Sequence, residues 1–248
     1  MSDRLNVSEL WDSAPSGDPP ERGAELAALP EPARRYLDHA IGPEAEPVRA
    51  VRVRMEGQIK LNDWLPFTAE QVIDWRRGFI WQASVKMMGL PIRGSDRLVD
   101  GYGAMRWKLL GLIPVMTAQG PDIARSAAGR VAAESIWLPS VLAGPDVSWT
   151  STDAGHPRAD FEAFGEPIEL TLAVDGDGRL ESLWLPRWGN PQDEGFRYAS
   201  FGAVVEEERT FAAYTVPTRL RAGWYFGEDR FESDGEFFRA TITQLKYK

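Results

Sequence analysis

The sequence predicts a mainly β fold (α+β): one strongly curved antiparallel sheet or open barrel of about ten to twelve strands, covered by two or three helices. Three observations predict it. Apolar and polar residues alternate with a period of two from Val51 onward. Turn signals such as Asn62-Asp63 and Asp175-Gly176-Asp177-Gly178 separate the alternating runs. Long crossover helices of the kind parallel strands require are missing.

Residues 1–23 contain Asp12-Ser13-Ala14-Pro15-Ser16-Gly17-Asp18-Pro19-Pro20, polar and rich in turn formers, and read as a flexible lead-in with one short turn around Leu10 and Trp11. Residues 24–248 read as one β-rich domain. It opens with a helix over Glu31 to Ile41, where Ala33, Tyr36 and Leu37 recur at helical spacing between Pro32 and Gly42. In the first strand Val51, Val53, Met55, Ile59 and Leu61 share a face opposite Arg52, Arg54, Glu56, Gln58 and Lys60. The second places Phe67, Ala69, Ile73 and Trp75 on one side, with Thr68, Glu70 and Asp74 opposite. The third aligns Phe79, Trp81, Ala83, Val85 and Met87.

Strands follow at 92–99 and 103–110, and then comes a short apolar segment from Leu112 to Gln119. Gly120-Pro121-Asp122 opens a helix running to Glu134, since Pro121 suits the first helical position and Asp122 its positive end. Its stripe of Ile123, Ala124, Ala127, Ala128 and Val131 is narrow enough to approach a sheet closely. The apolar run from Ile136 to Leu142 comes next. Eight more strands are expected at 146–152, 158–164, 168–175, 179–187, 196–205, 208–213, 216–226 and 236–247, the last with Phe237, Thr241, Thr243, Leu245 and Tyr247 on one side.

Composition narrows the function classes. The 248 residues carry a net charge of -9, so phosphate backbones are repelled and nucleic acid is not an expected partner; the same field repels anionic lipid headgroups. Cysteine is absent, which removes thiolate chemistry and fits a cytoplasmic setting. Neither a secretory signal nor an apolar run of ~20 residues for a membrane span is read.

The run Gln119-Gly120-Pro121-Asp122-Ile123-Ala124-Arg125, followed by Ala133-Glu134-Ser135-Ile136-Trp137-Leu138-Pro139, resembles a bacterial family carried as a domain of unknown function. Gly78-Phe79-Ile80-Trp81-Gln82-Ala83, and Val216-Pro217-Thr218 leading to Trp224, extend the resemblance over residues 28–248. It implies no activity. It implies that members commonly begin with a membrane segment, which is not read here. The strand–helix–strand rhythm also resembles the bacterial lipoprotein-carrier fold, a curved antiparallel sheet whose helical lid shelters an acyl chain. That likeness concerns architecture, and function does not follow from it.

The usual catalytic signatures are missing. His39 and His156 are the only histidines, one on a helix and one in a Gly-His-Pro turn, so a metal centre of histidines and carboxylates is not expected. Asp175-Gly176-Asp177-Gly178 suggests a cation loop, but its ligand spacing stops there and a hairpin turn accounts for it. Gly101-Tyr102-Gly103 lacks the third glycine of a dinucleotide loop and precedes a strand. No nucleophile elbow occurs. No cofactor is expected.

Any catalysis would rest on carboxylates, arginines and a shaped apolar pocket. Glu134 leads as acid or base, because partial burial at the helix junction would tune a carboxyl for proton transfer; Arg130 lies four residues before it on the same face. An ordinary ion pair along the helix explains the same spacing. Asp96 and Arg106 alternate with apolar neighbours and are candidates for the concave side, as is Arg187 between Trp184 and Trp188. The ten tryptophans either fill a wide sheet or line a pocket; Trp81, Trp107, Trp137 and Trp184, with Tyr102, are the ligand-binding candidates. The leading expectation is binding of an apolar or aromatic small molecule, or an acyl chain, inside the curved sheet. The alternatives are a cofactor-free cyclase, isomerase or hydrolase in the same cavity, and a protein-interaction scaffold. The oligomeric state is not legible.

Overall fold

A computed structural model describes residues 5–15 and 28–248. The alternation seen from Val51 onward becomes β1 (Ala50–Lys60), β2 (Trp64–Asp74) and β3 (Gly78–Met87), then β4 (Leu90–Val99), β5 (Tyr102–Leu109) and β6 (Ile113–Gln119). A second meander contains β7 (Ser148–Ser151), β8 (Pro157–Ala163), β9 (Glu166–Val174), β10 (Leu180–Gly189), β11 (Arg197–Phe211), β12 (Tyr214–Trp224) and β13 (Glu236–Tyr247). All thirteen form one antiparallel sheet in the order β6-β5-β4-β3-β2-β1-β13-β12-β11-β10-β9-β8-β7. The class is as predicted and the sheet is unclosed, with somewhat more strands than expected.

This order has a direct consequence. The two edges, β6 and β7, are neighbours in sequence but lie at opposite ends of the sheet. The chain joining them must cross the molecule, and it crosses as α3 (Pro121–Ala133), a tight turn at Glu134–Trp137 and the short α4 (Pro139–Leu142). Helix α3 can lie close because its inward positions are small: Ala127, Ala128, Gly129 and Ala132 are buried against the concave face. Gly103 in β5 completes the fit, since a Cβ there would sit 2.4 Å from the Ala124 Cα. Helix α2 (Glu31–Ala40) closes the other side with Ala33, Tyr36 and Leu37 buried.

Several sequence expectations change in detail. Segments 196–205 and 208–213 are one strand, β11, whose pairing with β12 shifts at Val205–Glu208; this bulge bends the strand without ending it. In β13 the inward residues are Ala240, Ile242 and Leu245, instead of Thr241 and Thr243. The β1–β13 register shifts between Arg54 and Met55, leaving Thr243 as the extra residue that reverses the phase. Leu61 is exposed in the β1–β2 turn instead of continuing the buried face.

The expected short turn at Leu10 and Trp11 is helix α1 (Val7–Ser13), so this part of the expected flexible lead-in is folded onto the sheet; residues 1–4 and 16–23 of that lead-in lie outside the described residues. Asn6 caps α1, with its side chain accepting from the Glu9 amide while Glu9 returns a bond to the Asn6 amide. Val7 and Leu10 pack on Val72, Ile80 and Val99, a second small core on the convex face. Leu10→Ala is expected to release α1 and leave the main sheet intact, because burying one leucine contributes ~2–3 kcal/mol and Leu10 is the fully buried anchor of this short helix, whose other ties are Val7 and part-exposed hydrogen bonds. Limited proteolysis would show early cleavage near the N-terminus with an unchanged thermal midpoint. A large fall in that midpoint would instead make α1 part of the cooperative unit.

Candidate functional site

Between α3 and the concave face lies a cavity of about 590 Å³. Its wall is mostly apolar, from Phe79 and Trp81 on β3, Trp137 in the tight turn, and Phe201, Trp224 and Phe238 on the central strands. One polar cluster interrupts it. Arg130, on the inward side of α3, donates from Nε to Glu134 at 2.8 Å, from Nη1 to Asp96 at 3.2 Å and from Nη2 to the Gln71 carbonyl oxygen at 3.3 Å. Gln71 in turn donates its amide to the second Glu134 oxygen at 2.5 Å. The Trp107 indole N–H closes the group on Asp96 at 3.0 Å. The Arg130 guanidinium also lies over the rings of Phe79 and Trp81, 4.9 and 5.0 Å from their centroids. Burial raises the Asp96 carboxyl above its ordinary range, while the Arg130 charge and the Trp107 and Arg130 hydrogen bonds pull the other way.

Arg187 stands apart from this cluster. Its side chain is buried on β10, donating from Nε to the Ser126 carbonyl at 3.0 Å and from Nη2 to the Ser126 hydroxyl at 3.4 Å. The guanidinium lies over Phe201 and Trp224, 4.5 and 5.0 Å from the centroids. Gly129 makes room for its stem, since a Cβ there would meet the Arg187 Cγ at 2.8 Å. Among the described residues no carboxylate lies within ion-pair distance of it; desolvation, with the nearby Arg130 charge, pulls its pKa down to about 9, and the more distant Glu134 and Asp96 charges offset this only in part. Of the five N–H donors a guanidinium carries, Ser126 uses only part.

The structure brings together Asp96, Arg130, Glu134, Trp81, Trp107, Trp137 and Arg187. Trp81 is buried with its indole N–H unpartnered among the described residues, whereas Trp137 donates to the Pro217 carbonyl at 3.0 Å. Three candidates do not belong. Asp96 pairs across the ladder with Met105, so Arg106 is one residue out of phase and points to the convex face, where it donates to the Tyr102 hydroxyl at 3.2 Å. Tyr102 shares that face and donates to Gln119. On β10 the buried Leu183, Leu185 and Arg187 point inward, so Trp184 points out, stacked on Phe226 at 5.9 Å. The expected Asp–Arg couple inside the cavity is therefore Asp96 with Arg130. Arg187 sits between Phe201 and Trp224, away from its sequence neighbours.

Two residues were missed. Gln71 occupies the inward position between Ala69 and Ile73, and an amide at an apolar phase of the alternation was a readable signal. Ser126 left none. The histidines lie apart, His39 against Glu208 at 3.0 Å and His156 against Asp153 at 2.9 Å, and among the described residues no group of three His, Asp or Glu converges to hold a metal. The Asp175 turn is a hairpin in which its carboxylate accepts the amides of Asp177 and Arg179, each at 2.9 Å.

These features define a class: an unclosed antiparallel shell around an apolar cavity with an ionic cluster in its wall. The chain belongs to the family of unknown function DUF6920, whose model matches residues 27–247. A comparison with curated proteins returns no match. Among solved structures the chain is similar to a putative outer membrane lipoprotein-sorting protein domain from Vibrio parahaemolyticus, at 8% identity and a TM-score of 0.43, covering 90% of this chain and 94% of that one. It is also similar to a LolA superfamily protein from Nitrosomonas europaea, at 8% identity and a TM-score of 0.45, covering 88% and 92%.

Proposed function

We propose that the cavity binds an apolar small molecule, an acyl chain or an aromatic body, that carries one acidic group, and that Arg187 receives that group. The observation that carries this reading is a buried guanidinium with no carboxylate partner beside an apolar space of about 590 Å³. That volume falls in the range of small-molecule sites, which are apolar with a few placed polar groups. A buried cation whose nearest carboxylates, Asp96 and Glu134, are bonded to another guanidinium is costly, and an incoming carboxylate or phosphate would offset that cost. Arg130 does not fill this role, because Asp96 and Glu134 already occupy its donors.

Glu134 as a general acid or base gains no support from the geometry. Both its oxygens accept hydrogen bonds, from Arg130 and Gln71, and this ties the end of α3 to β2. Binding is therefore the reading the site favours over turnover.

The test is a titration of the delipidated protein with palmitate and with its methyl ester, followed by tryptophan fluorescence, after native mass spectrometry has shown what the purified protein carries. Palmitate should saturate at one site and bind at least tenfold more tightly than the ester, since a charge-assisted hydrogen bond contributes about 1.5–3 kcal/mol. Equal binding of both would remove Arg187 from recognition and leave an apolar pocket. Binding of neither, in a protein that also carries no passenger, would sink the reading.

A further inference from the structure

The corner of the sheet formed by β3 to β6 exposes apolar side chains in a way the rest of the surface does not. Met87, Met88 and Leu90 occupy the β3–β4 hairpin tip, with Met88 95% exposed. Leu110, Leu112 and Ile113 occupy the β5–β6 tip, with Leu112 79% exposed, and Val115 and Met116 continue the patch along the edge strand. The tips are adjacent, since the Leu110 amide donates to the Pro91 carbonyl at 2.9 Å. Strand β6 shows solvent large apolar groups on both faces, whereas a strand that borders water keeps one polar side. An exposed patch of this kind marks a contact surface.

Charge identifies the partner. Between Asp74 and Asp96, and again between Asp100 and Asp122, the sequence contains no carboxylate. Those windows hold Lys86, Arg93 and Lys108, all exposed, and no ion pair engages them among the described residues. Arg93 and Lys108 stand directly opposite each other across β4 and β5, an arrangement that like charges disfavour unless an anion lies between them. Lys86 lies diagonally across from Arg93, because Ser84 is the ladder partner of Arg93. At about 3.3 Å per residue these cations lie roughly 7–10 Å behind the apolar tips. That is the depth separating the acyl boundary from the phosphates when an apolar face is seated in a membrane interface.

We infer that this corner docks on a bilayer surface bearing anionic phospholipids, with the two hairpin tips in the interfacial region and Lys86, Arg93 and Lys108 on headgroup phosphates. The net charge of -9 does not oppose this, because the field that counts is local and the Debye length is only about 8 Å at physiological salt. It orients the protein instead. The acidic turn carrying Glu228, Asp229, Glu232 and Asp234 lies at the same end of the sheet, beyond the β1–β2 turn, where Lys60 donates to the Ser233 carbonyl, so docking tilts the sheet toward its β6 edge. Docking on this corner does not depend on what the cavity binds.

The experiment is flotation of the purified protein with vesicles of phosphatidylcholine alone and of phosphatidylcholine mixed with phosphatidylglycerol, at low and at physiological salt, with size-exclusion light scattering of the protein alone. Wild type should float with the anionic vesicles and more strongly at low salt. Lys86→Gln with Lys108→Gln should weaken binding about 25-fold, at about fivefold per charge. Leu112→Asp, at a site too exposed to disturb folding, should weaken it at least tenfold. Wild type that floats with neither vesicle overturns the inference, as does binding that survives both variants. A stable dimer that Leu112→Asp dissociates also overturns it and assigns the patch to a second copy of the chain.

Discussion

Arg130→Met is expected to destabilise the protein by about 3–5 kcal/mol at neutral pH, the usual result of removing one partner from a buried ionic group. The methionine fills much of the same space against Phe79 and Trp81, so the loss comes from Asp96 and Glu134 left without their cation. The pH dependence follows from the Asp96 carboxyl, which burial already raises in the native state. An acid with a raised folded pKa favours folding below its unfolded value, and that contribution disappears as the pH rises through the folded value. Without Arg130 the folded value rises further. The deficit relative to wild type should therefore be largest near neutrality and shrink on acidification. Urea unfolding of both proteins at neutral and mildly acidic pH measures it, and a deficit that stays constant or grows in acid would refute this account of the cluster.

Arg187→Met is expected to act in the opposite direction on stability, raising it, because a buried charge that its surroundings offset only in part gives way to an apolar side chain of similar size. The sign comes from the depressed pKa of about 9. A base whose folded pKa lies below its unfolded value costs stability at neutral pH, and the cost is relieved only as the pH rises past the folded value. The same substitution should reduce palmitate affinity at least tenfold and leave binding of the methyl ester unchanged. Gain in stability with loss of acid recognition is the signature of a residue kept for a ligand. Loss of both would make Arg187 a structural anchor between Ser126 and the aromatic rings.

Much of this organisation can be read from one chain. Strict alternation in β1 to β3 indicates their buried faces, and Gly120-Pro121-Asp122 followed by small residues indicates a helix that can lie against a sheet. The four-residue spacing of Arg130 and Glu134 indicates their contact. The site itself is less legible because it depends on register. Asp96 faces Met105, and that offset alone sends Arg106 and Tyr102 outside. Trp184 had the composition of a pocket residue but the wrong parity relative to Arg187. Bulges in β11 and β13 change the phase within a strand, and no local signal marks them. Strand β6 gave no period to read because both of its faces are apolar.

The seam between β1 and β13 has a cost during synthesis. Its partners are far apart in the chain; the Thr243 hydroxyl reaches the Arg54 carbonyl across 189 positions. At translation speeds of about 5–20 residues per second, β1 leaves the ribosome on the order of 10–40 s before its neighbour exists. Throughout that interval the nascent first meander has one open edge at β1 and another at β6, the first destined for the centre of the sheet and the second for its rim. A ribosome pausing after β6 would prolong the exposure of two pairing-competent edges on one unfinished sheet. Slow codons placed there would favour association between neighbouring nascent chains, so production of the protein should be more sensitive to translation rate than its finished architecture suggests.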